Sequence, residues 1–231
     1  MMFKKQFLAL ICGLIFSFGF APFDYWLLSI LSISVLYKTI KEMPSKEAFY
    51  TGYWFGFGMW MTGISWLYVS IYYHGEIGFI GSALLILTFI SILSIYSGLL
   101  LLLNSNLERY GFQKLIYLSL PLSWVLIELI RSYLFTGFPW LISGTMLADT
   151  LIDGYTPIIG AQGNTFFLVL TGVLLCEIYE SFSQKRTALF PIIFLFIVLV
   201  PSSVLKNIEW TIPDNELKVS LHQPNLTLED K

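Results

Sequence analysis

Long apolar runs alternate with short polar connections along the whole chain. A bilayer core about 30 Å thick requires about 20 helical residues at a rise of 1.5 Å each, and seven runs meet or approach this length. They cover residues 7–20, 23–37, 49–73, 77–103, 115–134, 164–176 and 188–205. The second and sixth runs are short, so their assignment as spans depends on the charges around them. The pattern predicts an all-α membrane protein, a bundle of about seven transmembrane helices.

Lysine and arginine occupy every second connection between these runs. The connections at 21–24, 74–76 and 135–163 contain neither residue. Since basic residues are retained on the cytoplasmic side, the amino terminus is predicted to be cytoplasmic and the chain after residue 205 periplasmic. The basic residues on the predicted cytoplasmic side are Lys4, Lys5, Lys38, Lys41, Lys46, Arg109, Lys114, Lys185 and Arg186.

Composition agrees with a membrane protein and excludes several other classes. The 231 residues are 56% hydrophobic and only 12% charged, with a net charge of -2, which gives no indication of nucleic-acid binding. Cys12 and Cys176 lie in apolar runs without metal-site or CxxC spacing, so we expect packing roles, no metal and no cofactor. Lys4 and Lys5 before an apolar run resemble a signal peptide, but no A-x-A site follows, and we expect a retained first helix.

Glu128 and Arg131 are two ionisable residues inside the fifth apolar run. An ionised side chain in hydrocarbon costs at least about 2.5–3.5 kcal/mol, so their presence needs a reason. At i and i+3 on a helix they share a face, and we expect each to neutralise the other near the outer leaflet. Three roles remain open: a packing pair that joins two helices, a phospholipid headgroup contact through Arg131, and an ion pathway.

The connection at 135–163 is unusually long and begins with apolar residues. Gly137 and Pro139 break the preceding helix, and Phe138, Trp140 and Leu141 are suited to a membrane interface. Loops longer than about 12–15 residues are often lids or binding loops. The segment is interpreted as a mobile flap on the outer membrane surface, with a structural re-entrant loop as the alternative.

The third run combines small residues with large aromatic ones. Gly52 and Gly56 form a small-xxx-small pair that predicts close approach of another helix. Trp60 and Trp66 are interpreted either as packing residues or as the wall of a lipid-sized groove open to the outer leaflet.

No Ser/His/Asp or Cys/His arrangement and no Gly-rich phosphate loop indicates catalysis by this chain alone. Residues 217–225 alternate apolar and polar side chains and predict one β-strand that runs into a turn.

Several motifs together resemble the membrane half of bacterial apolipoprotein N-acyltransferases. They are the Phe-Ala-Pro-Phe corner at 20–23, the Gly/Trp-rich third run, residues 124–131, Gly-Phe-Pro-Trp at 137–140, and residues 160–164. The resemblance implies a transmembrane bundle over residues 1–210 and the beginning of a truncated periplasmic nitrilase-like domain over 211–231. Residues 219–225 resemble the first strand of that domain, although Pro224 departs from the usual Gln-Gly-Asn.

The resemblance implies a multi-pass protein of the bacterial inner membrane that acylates the N-terminal diacylglyceryl-cysteine of lipoproteins, the last step of lipoprotein maturation. Its partners would be a phospholipid acyl donor and a diacylated lipoprotein. The catalytic Glu-Lys-Cys set of that family matches no position in 1–231, so the chain alone is expected to be inactive. Two alternatives are a membrane subunit that recruits a separate nitrilase-like partner, and a small lipid or solute transporter. The lipid-groove candidates are Trp60, Trp66, Glu128, Arg131, Phe138, Pro139, Trp140 and Gly144.

Overall fold

A computed structural model describes residues 2–110, 116–212, 214 and 216–223. Within these residues the chain is all-α and contains no β-strand. The α-helices are α1 (Met2–Phe16), α2 (Trp26–Ile40), α3 (Ser45–Gly63), α4 (Leu67–His74), α5 (Gly78–Arg109), α6 (Ile116–Tyr133), α7 (Thr156–Ser183) and α8 (Leu189–Leu205).

The helices confirm the predicted membrane class. Four helical stretches in the described part of the chain are long and apolar enough to cross a bilayer: Met2–Gly19, Gly78–Arg109, Tyr117–Thr136 and Asp153–Ser183. The helices α2 and α8 are apolar but shorter. The protein is therefore an all-α membrane protein, as the sequence pattern predicts.

The third predicted run is not one continuous helix, so this prediction was wrong at one point. The helix α3 ends at Gly63, and α4 begins at Leu67. Glycine is a weak helix former, and a Cβ added at Gly63 would lie 2.3 Å from the Cδ1 of Leu141. A side chain from the long connection therefore occupies the space at the break, which the local pattern does not reveal.

The sixth run is longer than predicted. The helix α7 begins at Thr156, inside the connection that was predicted to extend to residue 163, and it is kinked at Gly160 with φ of 69°. The rest of that connection contains short 3₁₀ turns at Leu134–Thr136, Ser143–Leu147 and Asp153–Tyr155.

The helix α3 packs between α1 and α5 with very close backbone contact. A Cβ added at Gly52 would lie 2.2 Å from the carbonyl oxygen of Ser97 on α5, and one added at Gly13 would lie 1.9 Å from that of Phe55 on α3. The prediction that Gly52 allows close approach of a helix is confirmed. Phe16, Phe55 and Trp124 form a ring cluster between α1, α3 and α6, with centroids 5.5–5.6 Å apart.

Buried serine hydroxyls donate hydrogen bonds between helices. Ser17 donates to the carbonyl oxygen of Met59 at 2.7 Å, and Ser32 donates to that of Cys12 at 2.6 Å. Such bonds satisfy hydroxyl groups in hydrocarbon and contribute about 0.6–2 kcal/mol each to helix association.

The connections with lysine and arginine lie at one end of the bundle. Lys41, at the end of α2, contacts Glu177 and Glu180 on α7, and Ser45, at the start of α3, donates to Asn106 near the end of α5. This placement agrees with the predicted alternation of charged connections.

The strand predicted for residues 217–225 is not formed in the described residues. Residues 216–223 have no assigned secondary structure, and Leu221 is 97% exposed. A strand needs a neighbour to complete its hydrogen bonds, and the described residues supply none. Residues 224 and 225 lie outside the described part.

Candidate functional site

The site is built on the last two turns of α6. This helix ends because Phe135 and Gly137 have φ of 52° and 82°. A Cβ at Gly137 would lie 1.9 Å from the carbonyl oxygen of Ser132, so only glycine fits this turn. The N–H of Phe138 donates to the carbonyl oxygen of Arg131 at 2.9 Å, and the chain turns back toward the bundle.

Glu128 binds this returning chain. Its Oε1 accepts from the backbone N–H and the hydroxyl of Ser143, at 3.0 and 2.6 Å, and from the indole N–H of Trp124 at 3.3 Å. Its Oε2 accepts from the hydroxyl of Thr165 on α7 at 2.7 Å. The side chain is only 5% exposed, so these donors replace water around a buried carboxylate.

Arg131 binds the same stretch of chain through its carbonyl oxygens. One terminal nitrogen, Nη1, donates to the carbonyl oxygens of Phe138 and Trp140, and Nη2 is 3.4 Å from that of Leu141. The guanidinium also lies over the ring of Trp60, with Cζ 5.0 Å from the centroid. Arg131 is 4% exposed, so all of its contacts are within the protein.

Glu128 and Arg131 lie close enough for their charges to interact, as their spacing predicts, but they form no direct ion pair. The ion pairs among the described residues do not include these two, so their charged atoms are more than 4.0 Å apart. The i, i+3 spacing does place them on one side of α6. Each side chain, however, forms hydrogen bonds with backbone groups of the non-helical segment. Such backbone cannot be left unpaired in hydrocarbon, and the two charges supply its hydrogen bonds.

Residues 138–147 form a re-entrant segment rather than a flap on the membrane surface. Phe138 contacts Phe89 at a centroid distance of 5.2 Å, and Phe89 lies eleven residues, or about 16 Å, along α5 from its start at Gly78. Ser143, Gly144, Met146 and Leu147 are buried. This part of the connection therefore has the form of a re-entrant loop, which was the alternative to a surface flap.

Gly144 fixes the far end of the re-entrant segment against α7. A Cβ at this position would lie 1.8 Å from the carbonyl oxygen of Ala161. The N–H of Gly144 donates to the hydroxyl of Thr165 at 2.9 Å, and that hydroxyl donates to Glu128. Pro139 is exposed and has no backbone N–H that would require a partner at this depth.

Aromatic rings continue the site toward the predicted outer end of the bundle. Phe138 packs against Trp60 and Trp140, with centroids 5.8 and 5.5 Å away, and Trp140 packs against Trp66 at 6.0 Å. Trp60 is 1% exposed, whereas Trp66 is 50% exposed. Trp60 is thus a packing residue beneath Arg131, and Trp66 and Trp140 face the membrane.

The structure brings all eight predicted residues into one region, but sequence reasoning missed three of their partners. Trp124, Ser143 and Thr165 all contact the carboxylate of Glu128. Trp124 was detectable, since it lies four residues before Glu128 and shares its helix face. No motif or spacing in the sequence around Ser143 or Thr165 indicates that they contact Glu128.

The space beside the two charged side chains is small. The cavity beside Trp60, Glu128 and Arg131 is about 20 Å³, which holds about one water molecule. No group of three His, Cys, Asp or Glu side chains among the described residues is placed to hold a metal ion. The free thiols of Cys12 and Cys176 are buried elsewhere in the bundle.

Comparisons with known proteins agree with this architecture. Residues 12–174 match the family model described as the apolipoprotein N-acyltransferase N-terminal domain. The chain is 33% identical over 231 residues to an apolipoprotein N-acyltransferase of Methylococcus capsulatus, an alignment that covers 99% of this chain and 45% of that protein. It is also 33% identical over 226 residues to one from Pseudomonas aeruginosa, covering 97% of this chain and 44% of the relative.

A third similar protein, an apolipoprotein N-acyltransferase of Pseudomonas syringae, is 32% identical over 221 residues, with 95% of this chain and 44% of the relative covered. The chain thus spans just under half the length of the relatives that it matches. Because the family match includes α2 to α6, the re-entrant segment and most of α7, the chain belongs to the family of the apolipoprotein N-acyltransferase N-terminal domain.

Proposed function

We propose that this chain binds the phospholipid acyl donor for apolipoprotein N-acylation. In the complete reaction an acyl chain passes from a phospholipid to the α-amino group of the N-terminal diacylglyceryl-cysteine of a lipoprotein. Membership of the family and the names of the relatives support this reaction. The bundle would hold the acyl chains of the donor near the outer leaflet.

One observation carries the proposal: the re-entrant segment places Phe138 beside an apolar groove on the outer half of α5. The groove is shallow and open, with a volume of about 460 Å³, and all of its lining residues lie on α5: Gly81, Leu84, Leu85, Thr88, Phe89 and Ile92. Its only hydroxyl, that of Thr88, donates to the carbonyl oxygen of Leu84 at 2.8 Å. The wall is therefore apolar and suits an acyl chain.

The exposed rings of Trp66 and Trp140 extend this wall toward the membrane surface. Tryptophan is favoured where hydrocarbon meets the headgroup region. Glu128 and Arg131 are positioning residues in this proposal, because they fix the segment that carries Phe138 and Trp140 and are themselves buried. Their role is indirect, since neither charge is exposed to a headgroup.

The proposal separates lipid binding from acyl transfer. Transfer through a thioester needs an accessible thiolate, and Cys12 and Cys176 are 4% and 3% exposed within the bundle. The cysteine nucleophile, glutamate base and lysine of the resemblance match no position in residues 1–231. We therefore assign acyl-chain binding to the helical bundle described here. The covalent steps are assigned to the cysteine, glutamate and lysine of the family's catalytic set.

Photocrosslinking in lipid nanodiscs tests the binding role. A phospholipid with a diazirine on its acyl chain is expected to crosslink to α5 near Phe89 and to the segment near Trp140. The change Trp140→Ala should reduce crosslinking several-fold, whereas Phe135→Ala should not, because Phe135 is 88% exposed and outside the ring stack. Equal crosslinking by both variants, with unchanged thermal stability, would contradict the proposal.

An acyl-transfer assay tests the separation of roles. The purified chain, incubated with phospholipid and a diacylated lipopeptide, is expected to transfer no acyl chain. Transfer by residues 1–231 alone would overturn the assignment of the covalent steps while leaving lipid binding intact.

We also propose that the chain lies in the bacterial inner membrane with the residues after α8 on the periplasmic side. The charge distribution supports this orientation. A cysteine introduced by Ser220→Cys should react with a membrane-impermeant maleimide in intact spheroplasts, and one introduced by Ser183→Cys should react only after lysis. The opposite pattern would invert the orientation.

A further inference from the structure

A polar pocket lies where three connections that are predicted to be periplasmic meet. Its volume is about 550 Å³. It is bounded by the corner before α2, by the end of the re-entrant segment with the residues that follow it, and by the end of α8. The residues that line it include Asp24, Trp26, Thr145, Asp149, Leu151 and Lys206. None of these side chains belongs to the proposed acyl-donor groove.

Lys206 is held in place by backbone carbonyl groups. Its Nζ donates to the carbonyl oxygens of Asp149 and Thr150, at 2.9 and 3.2 Å. An ammonium group has three N–H donors, and these two bonds use two of them within the described residues. The third N–H is therefore available to donate to an acceptor oxygen of a ligand in the pocket.

Asp24 and Asp149 contribute two carboxylates to the same pocket, and both residues are exposed. No basic side chain in the described part of the chain lies within 4.0 Å of either carboxylate. Lys206 shares the pocket but donates to carbonyl oxygens instead. One ammonium against two carboxylates leaves one excess negative charge, which favours a ligand that carries a cationic group.

The pocket also has apolar surface beside its charges. The ring of Trp26 and the side chain of Leu151, which is 62% exposed, form part of its wall. The aliphatic stem of a lysine or arginine packs well on such a surface, and its charged end is attracted to the face of a tryptophan ring. A basic residue within a peptide offers a cation, an apolar stem and a carbonyl oxygen together, and so matches all parts of this pocket.

We propose that this pocket binds a lysine or arginine side chain in the peptide that follows the modified cysteine of the lipoprotein acceptor. The cationic group pairs with Asp24 and Asp149, the apolar stem contacts Trp26, and a peptide carbonyl oxygen accepts from Lys206. The identity of the acceptor rests on the proposed function, whereas the preference for a basic side chain rests on the pocket.

The re-entrant segment connects this pocket with the acyl-donor groove. Thr145 lines the pocket, and Phe138 lies at the other end of the same segment, beside the groove on α5. Seven residues separate them in the chain, so they lie within about 25 Å of each other. A segment fixed by Glu128 and Arg131 would thus hold the peptide of the acceptor near the acyl chain of the donor.

Binding of diacylated lipopeptides to the purified chain in phosphatidylcholine nanodiscs tests the pocket. Three lipopeptides carry the same lipid and differ only in having lysine, glutamine or glutamate after the cysteine, and nanodiscs without the chain give the background. The wild type should bind the lysine lipopeptide about fivefold more tightly than the glutamine one, as expected for an exposed ion pair. The glutamate lipopeptide should bind most weakly. Equal binding of all three would overturn the proposal.

A charge reversal at Asp24 separates recognition from folding. Asp24→Lys should make the chain prefer the glutamate lipopeptide, a gain that a loss of structure would not produce. The matched control is Glu76→Lys, at an exposed residue of another connection that is predicted to be periplasmic. Both positions have positive φ, 56° and 52°, so the backbone strain is similar, and the control should keep the wild-type order. A preference for lysine that persists in Asp24→Lys would overturn the site.

Two soluble competitors decide whether a peptide or a lipid headgroup occupies the pocket. The unlipidated lysine peptide should abolish the preference for the lysine lipopeptide, whereas glycerophosphoethanolamine should not. The opposite result would assign the pocket to a headgroup and overturn the proposal. Phospholipid crosslinking near Phe89 reports the proposed function separately, because Asp24 lies outside that groove and Asp24→Lys should leave the crosslinking unchanged.

Discussion

Acidic and basic side chains are used differently at the two ends of the bundle. Near the predicted cytoplasmic end, Lys41 contacts Glu177 and Glu180 directly, and all three side chains are partly exposed. In the predicted outer half, Glu128 and Arg131 share a helix face yet bind non-helical backbone instead of each other. The difference follows from the surroundings: where backbone leaves the helix inside hydrocarbon, its unpaired groups compete successfully for a nearby charge.

The largest loss of stability is expected when the guanidinium of Arg131 is removed. Arg131→Ala leaves the carbonyl oxygens of Phe138 and Trp140 without donors and Glu128 without a nearby positive charge. The free energy of unfolding is expected to fall by about 3–5 kcal/mol. Reversible unfolding in mixed micelles measures this change.

Two variants sharpen the experiment on Arg131. Arg131→Lys should restore less than half of the loss, because an ammonium does not reproduce the planar array of donors. Arg186→Ala removes an exposed arginine and should change stability by no more than about 0.5 kcal/mol. If Arg131→Ala were as mild as Arg186→Ala, the re-entrant segment would not depend on the guanidinium.

A smaller effect is expected when the Glu128 charge is removed but the side-chain shape is kept. Glu128→Gln replaces one acceptor oxygen by an amide that cannot accept from Ser143 or Thr165. The cost should be about 1.5–3 kcal/mol in the same unfolding assay. Glu209→Gln, at an exposed position, is the matched control, and equal effects of the two changes would contradict the role of Glu128.

Gly144→Ala tests the close contact between the re-entrant segment and α7. The added Cβ would displace the backbone of Ala161, so we expect a loss of about 1–3 kcal/mol. In Gly81→Ala the nearest atom is the Cβ of Ile77 at 3.2 Å, and the change should be within about 1 kcal/mol in either direction. Hydrogen exchange should increase around Ser143 in Gly144→Ala alone.

The smallest effect is expected at the partly exposed ion-pair cluster. Lys41→Gln should lower stability by less than about 1 kcal/mol, because water already solvates these groups and salt screens them. The difference from wild type should shrink further when the salt concentration is raised. A salt-independent loss as large as that of Arg131→Ala would remove the contrast between the two ends.

The sequence predicts the bundle well because its signals are local. Apolar length identifies most spans, and the contact at Gly52 follows from glycine spacing on one helix. The break after Gly63 was not predictable in this way, since it depends on Leu141, which is distant in the chain. The same holds for the extra helical turns at the start of α7, which extend into a connection that contains two prolines and five glycines.

The sequence drew attention to the residues that the structure brings together, but it did not reveal their contacts. Glu128 and Arg131 stand out in an apolar run, and their spacing suggests a pair. Their partners Ser143 and Thr165 are 15 and 37 residues from Glu128 in the chain. The sequence pattern also does not distinguish the exposure of Trp60 from that of Trp66. In the structure Trp60 is buried beneath Arg131, whereas Trp66 is half exposed at the membrane-facing surface.

The re-entrant segment also constrains the order in which the protein assembles. A transmembrane helix satisfies its own backbone and can enter the bilayer as an independent unit. Residues 138–147 cannot, because their hydrogen bonds come from α6 and from Thr165 on α7. The helix α7 is synthesised after the segment, so the segment must wait at the membrane surface until α7 is inserted. It therefore reaches its final depth only after α7 is in place.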